Sequence, residues 1–141
     1  MNEFRVLVCG GRDYGRKWTG TQWDEDERQI DRLFAVLDKA LQAATMAGKS
    51  FTLVHGGARG ADALAGLWAT DRKITDEGGV VRVYDADWET HKKAAGPIRN
   101  KKMLTESQPH VIIAFKGGNG TAHMMKISRE ADVPVYEVKD D

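Results

Sequence analysis

Three glycine-rich segments combine small and charged residues in a pattern that suits the binding of an anion. The clearest is 117–121, Gly-Gly-Asn-Gly-Thr, which follows a short apolar run. Because glycine has no Cβ, the backbone there can come close to a ligand. The helix predicted to begin at this segment offers unpaired N–H groups and the positive end of its dipole, a common site for phosphate. Taken alone, the segment also fits a tight turn without a ligand.

The other two glycine segments carry the side chains that would accompany such a phosphate. Each follows a predicted strand, and each contains an arginine and an aspartate. The candidate ligand-binding residues in the three segments are Gly10, Gly11, Arg12, Asp13, Gly56, Gly57, Arg59, Gly60, Asp62, Gly117, Gly118, Gly120 and Thr121. One glycine turn is a weak signal, whereas three after predicted strands are hard to explain by packing alone.

Alternating strand and helix patterns position these segments. Apolar runs predict strands at 4–9, 51–55, 80–84, 111–115 and 134–138. Helical spacing predicts helices from Asp24, as N-cap, to Gly48, from Pro97 to about 106, and from about 121 to 131. A further helix after the second glycine segment has Leu64, Ala65, Trp68 and Ala69 on one face, and 75–79 is a polar connection. The segment 85–96 is treated as a polar loop. This alternation predicts an α/β fold: one Rossmann-like, doubly wound domain over residues 1–141.

Right-handed crossovers favour a five-stranded parallel sheet in the order 3-2-1-4-5. The first and fourth strands are then neighbours at the point where the order reverses, and ligands of such sheets bind there, outside the carboxyl ends of the strands. The turns at Gly10–Gly11 and Gly117–Gly118 meet at this point, with the Gly56–Gly57 turn beside them.

Composition restricts the class of protein. The chain has 141 residues, with 21 Lys+Arg and 21 Asp+Glu, so its formal net charge is zero. This balance argues against a nucleic-acid-binding protein, which usually carries a basic excess. A single cysteine, Cys9, excludes an internal disulfide and fits a reducing cytosol. No stretch reaches the length of a membrane span and no signal peptide is evident, so we expect a cytoplasmic location and no membrane partner.

Several single residues could complete a site. Arg99, near the start of a predicted helix, suits phosphate or the face of a base. Trp88 could stack on a base or pack over its own loop. Asp62 could bind a ribose hydroxyl or satisfy N–H groups in the first turn of its helix, and Asp13 has the same alternatives. The four histidines lack metal-ligand spacing, so no metal and no cofactor is expected. Cys9 is expected in the core, and Lys92–Lys93 and Lys101–Lys102 on solvated faces.

Several motifs in this order resemble the YspA/YpsA-related branch of the SLOG superfamily. They are the segments 8–13, 56–62, 95–100 and 117–121, and the resemblance extends from about Phe4 to Val138. It implies a Rossmann-like fold that binds nucleotides or their derivatives, and it adds Asn100 to the candidate ligand-binding residues. The superfamily includes LOG phosphoribohydrolases, which cleave the bond between a base and ribose 5′-phosphate, and DprA-type DNA-processing proteins.

The LOG signature is Gly-Gly-x-Gly-Thr-x-x-Glu with an upstream arginine, which Arg99 resembles. Here the Glu position carries Met124, preceded by His123. Glycosidic cleavage normally uses a carboxylate, so the resemblance favours a binding or sensing module for a nucleotide-like molecule. The alternatives are a LOG-like N-glycosidase, with Arg99 and His123 as candidate catalytic residues, and DprA-like binding of single-stranded nucleic acid. Likeness to LOG proteins and the apolar area of Trp18, Trp23 and Trp68 predict self-association, with a dimer as the expected form.

Overall fold

A computed structural model describes residues 2–74 and 80–140 of the chain. Its strands are β1 (Glu3–Cys9), β2 (Arg16–Trp18), β3 (Trp23–Glu25), β4 (Ser50–His55), β5 (Val80–Val83), β6 (Val111–Ala114) and β7 (Val135–Glu137). Its helices are α1 (Glu27–Met46), α2 (Ala61–Asp71), α3 (Trp88–His91), α4 (Ala95–Ser107) and α5 (Asn119–Glu130), with a 3₁₀ turn at Lys92–Ala94. The predicted connection at 75–79 lies outside the described residues.

Five of the strands form one parallel sheet in the order β5-β4-β1-β6-β7. Numbered within the sheet along the chain, this is 3-2-1-4-5, so the predicted α/β, Rossmann-like fold and its strand order are confirmed. The central strand β1 pairs with β4 on one side and with β6 on the other. The reversal of strand order therefore lies between β1 and β6, where the first and third glycine turns emerge.

The sheet is covered by helices on both faces, as the alternation of side chains along β1 requires. Val6 and Val8 point to one face and join a core with Leu33 of α1 and Trp68 of α2. Leu7 points to the other face, where the core includes Met103 and Leu104 of α4 and Met124 of α5. Both faces of β1 are thus buried, which is why its sequence is a continuous apolar run. None of the helices in the described residues is long and apolar enough to cross a membrane.

A small antiparallel ribbon was missing from the prediction. β2 and β3 pair between the first glycine turn and α1, with Trp18 opposite Trp23. The two indole rings lie 5.6 Å apart between centroids, and Arg16 stacks over the ring of Trp23 at 3.9 Å. Each strand has three residues, too few for a pattern of alternation to be detected.

Two helix starts and one loop also differ from the prediction. The N-cap of α1 is Asp26 rather than Asp24, and its side chain accepts a hydrogen bond of 3.2 Å from the amide of Gln29. Pro97 is the third residue of α4 rather than the first. A proline fits there because amides in the first turn have no acceptor within the helix. The segment 85–96, predicted as a loop, contains α3, which Asp87 caps.

The three tryptophans expected to offer apolar surface do not share one environment. Trp18 is 56 % exposed and Trp23 is 45 % exposed, but Trp68 is fully buried and donates a hydrogen bond of 2.8 Å to Asp38. The prediction for Trp68 is therefore wrong. Its position on α2 faces Phe51 of β4 in the core, with ring centroids 5.3 Å apart.

Candidate functional site

A cavity of about 490 Å³, called the main cavity here, opens at the carboxyl edge of the sheet where β1 and β6 end. All three glycine turns contribute to its wall or its support. It is lined by Val8, Cys9, Gly10, Gly11, Arg12, Ala58, Asp62, Trp88, Lys93, Gly96, Pro97, Arg99, Asn100, Met103, Gly118, Asn119, Gly120, Thr121 and His123. The structure thus brings together residues that are more than a hundred positions apart in sequence.

Backbone hydrogen bonds lock the three turns to one another. The amide of Gly11 donates to the carbonyl of Lys116 at 3.0 Å, and the amide of Ala61 donates to the carbonyl of Gly11 at 3.1 Å. Gly60, with φ of +80°, packs against that same carbonyl, and a Cβ there would collide with it. A Cβ on Gly10, Gly11 or Gly117 would also lie closer than 3.0 Å to an atom of another residue, which is Ala61, Lys116 or Thr121 respectively. These glycines allow the turns to approach each other.

Gly118 and Gly120 have a different environment, because a Cβ on either one would meet no atom within 4 Å. They stand at the start of α5, whose N-cap Gly118 has no side chain to satisfy the first amides. Within residues 2–74 and 80–140, the amides of Asn119, Gly120 and Thr121 have no hydrogen-bond acceptor. The open space and the unpaired donors together suit an anion.

Asp62 supplies a buried carboxyl group to the main cavity. It is 6 % exposed, and its Oδ2 accepts hydrogen bonds of 3.2 Å from the amides of Gly56 and Ala58. These amides belong to the glycine turn and not to the first turn of α2, where the prediction placed its structural partners. No described residue bonds Oδ1, so that oxygen can accept a hydrogen bond from a ligand. Burial raises the pKa of Asp62 to about 6, although the two amides and the charge of Arg99 act in the other direction.

Arg99, Asn100 and His123 form a continuous hydrogen-bonded chain along the cavity wall. Arg99 donates from Nη1 to the carbonyls of Gly56 and Tyr84 at 2.5 and 3.3 Å, and from Nε to Oδ1 of Asn100 at 3.0 Å. Asn100 in turn contacts His123 through Nδ2. Arg99 therefore ties the ends of β4 and β5 together besides facing the cavity, a structural role that the sequence did not reveal.

Arg12 and Trp88 separate the main cavity from a second one. The guanidinium of Arg12 lies 5.1 Å from the centre of the Trp88 ring. The second cavity, called the arginine cavity here, has a volume of about 390 Å³. It is lined by Arg12, Gly56, Gly57, Ala58, Arg59, Asp85, Ala86, Trp88 and Arg99. Trp88 is exposed and borders both cavities. Its ring is therefore accessible to a base, and packing over its own loop, the alternative prediction, does not bury it.

Asp13 is one of three candidates, with Gly60 and Gly117, that line neither cavity. Its Oδ1 accepts hydrogen bonds from Arg16 and lies 3.7 Å from Nη2 of Arg59. The Arg16 hydrogen bond lowers the pKa of Asp13. The carboxylate thus connects the β2–β3 ribbon to the second glycine turn, and a ligand in either cavity would not touch it.

Some residues that line the cavities were not among the candidates. Lys93, Gly96, Pro97 and Met103 border the main cavity, and Asp85 borders the arginine cavity. Lys93 lies on the 3₁₀ turn between α3 and α4. Because the segment 85–96 was predicted as a loop, the position of Lys93 beside the cavity could not be predicted. Cys9 also borders the main cavity, but burial raises the pKa of its thiol to about 12, so it stays protonated at neutral pH. No group of three or more His, Cys, Asp or Glu among the described residues could hold a metal ion.

Comparison with known proteins agrees with the motifs. The model of the YspA, cpYpsA-related SLOG family matches residues 4–91. The chain belongs to this family. The Gene 61 protein of Mycobacterium phage D29 is 33 % identical over 138 residues, which cover 96 % of this chain and 97 % of that protein. No solved structure matches the chain.

Within this SLOG fold, the position of the LOG glutamate lies away from the cavity. Met124 is fully buried and packs in the core beside Leu7 and Ile112 of β1 and β6. The preceding residue, His123, is the one that lines the cavity. A carboxyl group does reach the site, but from Asp62 on the opposite glycine turn.

Proposed function

We propose that this chain binds a nucleotide or a nucleotide-derived ligand in the main cavity, with its phosphate on the first amides of α5. The observation that carries the proposal is the combination of three unpaired amides and open space at Gly118 and Gly120. A phosphate there accepts from several N–H groups and lies at the positive end of the helix dipole. Membership of the SLOG family supports the same class of ligand.

The remainder of the nucleotide has suitable contacts in the same cavity. Oδ1 of Asp62 can accept hydrogen bonds from ribose hydroxyls, since Oδ2 is already held by the turn. The half-exposed indole of Trp88 offers a face or edge for the base. Lys93 and Arg12 add positive charge at the rim. These groups match a molecule that joins a phosphate, a sugar and an aromatic ring.

Calorimetric titration with AMP tests the proposal. Gly118→Val places its side chain in the phosphate space, where a Cβ would meet no atom within 4 Å. Because φ of −103° and ψ of −141° lie outside the regions that valine favours, circular dichroism checks that the variant is folded. The affinity for AMP should fall by about tenfold or more. Ala122→Val adds bulk one turn later on an exposed position of α5 and should keep the affinity. Unchanged AMP binding in a folded Gly118→Val protein would overturn the proposal.

A second function, hydrolysis of the bond between base and ribose, is favoured by one observation. Asp62 places a buried carboxyl in the cavity, and such a group can stabilise an oxocarbenium-like sugar or activate water. Incubation with AMP and chromatography of free adenine tests this activity. Release of adenine by the wild type that is lost in Asp62→Asn, while that variant still binds AMP, would identify an enzyme. Binding without release would assign the site to ligand recognition.

A further inference from the structure

The arginine cavity has a strong excess of positive charge for its size. Arg12, Arg59 and Arg99 line it, and Asp85 is the one acidic residue among its lining residues. Oδ1 of Asp13 lies 3.7 Å from Nη2 of Arg59, but Asp13 lines a different cavity, beside Gly11 and Tyr14. Guanidinium groups arranged around a concave surface suit a phosphate, which they can bind in a bidentate manner.

The positive charges that line this cavity outnumber the negative ones. Burial lowers the pKa of Arg99. The like charge of Arg12 adds to this effect, and the carboxylates of Asp62 and Asp85 oppose it. Arg12 and Arg99 line the same cavity, so their like charges repel each other there. An anion in the cavity would relieve this repulsion.

The second glycine turn connects this cavity to the proposed ribose position. Gly56 and Ala58 line the arginine cavity, and their amides hold the carboxyl of Asp62, which faces the main cavity. A ribose whose hydroxyls contact Asp62 would therefore have its 2′ and 3′ oxygens beside the turn. Ala58 of that turn lines both cavities, so the arginine cavity borders the proposed ribose position. The residues at the start of α5, whose amides would hold the 5′ phosphate, line the main cavity and not the arginine cavity.

We infer that the arginine cavity is a second anion subsite, and that the ligand is a nucleotide with a phosphate on its ribose 2′ or 3′ oxygen as well as on its 5′ oxygen. This inference rests on the proposed function, since it requires the 5′ phosphate to occupy the start of α5. It selects one class of nucleotide among those that the main cavity alone would accept.

Calorimetric titration with four nucleotides tests the inference. Adenosine 3′,5′-bisphosphate and adenosine 2′,5′-bisphosphate are compared with AMP and with ADP, which has a second phosphate on the 5′ side. At least one bisphosphate should bind about tenfold or more tightly than both AMP and ADP. Arg59→Ala should reduce the ratio of the bisphosphate affinity to the AMP affinity. Arg129→Ala removes an exposed arginine at the far end of α5 and should leave this ratio unchanged.

Several results would overturn the inference while the proposed function survives. In the first, ADP binds as tightly as the bisphosphates. In the second, AMP binds and neither bisphosphate has a higher affinity than AMP. In the third, Arg59→Ala has the same ratio of bisphosphate affinity to AMP affinity as the wild type. An equal gain when inorganic phosphate is added with AMP would assign the subsite to a free anion. Failure of all four nucleotides to bind would overturn the proposed function and this inference together.

Discussion

Nδ2 of Asn100 lies 3.2 Å from Nδ1 of His123, and this contact determines which ring nitrogen carries the proton. Oδ1 of Asn100 accepts from Nε of Arg99, which is always a donor, so the amide nitrogen must face the histidine. The same nitrogen donates to the carbonyl of Gly120 at 3.2 Å. Nδ1 of His123 is therefore an acceptor, and the neutral ring is protonated on Nε2.

Replacing the amide nitrogen of Asn100 by an oxygen should shift His123 to its other neutral tautomer. Asn100→Asp replaces the donor by an acceptor, so the proton should move to Nδ1. The variant should also lose roughly 1–3 kcal/mol of stability, because the carbonyl of Gly120 then faces a carboxylate. Nitrogen-15 chemical shifts of the histidine rings at about pH 8 distinguish the two tautomers.

His110 provides an internal control for that measurement. Its Nδ1 accepts a hydrogen bond of 2.9 Å from the amide of Arg5, far from Asn100. Its shifts should remain those of the Nε2–H tautomer in the wild type and in Asn100→Asp. A wild-type His123 protonated on Nδ1 would contradict the proposed hydrogen-bond chain.

Asp62→Asn should stabilise the protein at neutral and alkaline pH. The pKa of Asp62 is raised from 3.8 to about 6 in the folded state, so its ionisation opposes folding. The cost is absent below about pH 4, grows as the pH rises to 6, and is fully present above that value, where it is on the order of 3 kcal/mol. An asparagine oxygen can keep both amide bonds without the charge. Urea unfolding of both proteins at several pH values measures the difference.

The expected signature is a stability difference that depends on pH. Asp62→Asn and the wild type should converge near pH 4 and separate by roughly 1–3 kcal/mol at pH 8. Asp31→Asn removes an exposed carboxylate on α1 and should show no such separation. A constant difference at all pH values would mean that the carboxyl of Asp62 is not held in an unfavourable environment.

Trp68 and Trp18 should differ widely in their contribution to stability. Trp68 fills the core between α2 and the sheet, and Trp68→Ala should cost roughly 3–5 kcal/mol or prevent folding. Trp18 is exposed, and Trp18→Ala should change the free energy of unfolding by about 0.5 kcal/mol or less. Urea unfolding followed by circular dichroism compares them, and Trp68→Phe gives a measurable value if the alanine variant does not fold. Equal losses from the two alanine variants would contradict the packing described.

Restoring the LOG glutamate at position 124 should harm the protein rather than activate it. Met124 has no exposed surface, so Met124→Glu buries a carboxyl in an apolar core and should cost roughly 3–5 kcal/mol. Met124→Leu keeps the volume and should cost less than about 1.5 kcal/mol. Thermal unfolding and an assay for free adenine test both variants. A stable Met124→Glu protein that releases adenine would show that this position can face the cavity.

The order of the sheet could be predicted because its central strands β1, β4 and β6 are apolar runs that are buried on both faces. Val6, Leu7 and Val8 are apolar in succession, which is what a central parallel strand requires. The β2–β3 ribbon could not be predicted, since its pairing depends on Trp18 meeting Trp23 across a turn. Four acidic residues stand in a row at 24–27, and because Asp24 and Glu25 pair within β3, the helix is capped by Asp26.

The candidate site was predicted in its location but not in the role of each residue. Glycine patterns indicate that turns meet at the sheet edge, yet they do not distinguish Gly117, crowded by Gly11, from Gly118, which faces open space. That distinction depends on neighbours distant in sequence. The position of Met124 is a similar case, because a motif gives a spacing along the helix but not the side of the helix that packs in the core.

The central position of β1 has a consequence for synthesis on the ribosome. β1 is the first strand to emerge, but one of its two neighbours, β6, begins at Val111. One edge of this apolar strand therefore stays unpaired until most of the chain has been translated. The bond between Gly11 and Lys116 can form only after Lys116 has been translated, so the wall of the main cavity cannot be complete before then. Nascent chains stalled before Val111 should be protease-sensitive around the first glycine turn.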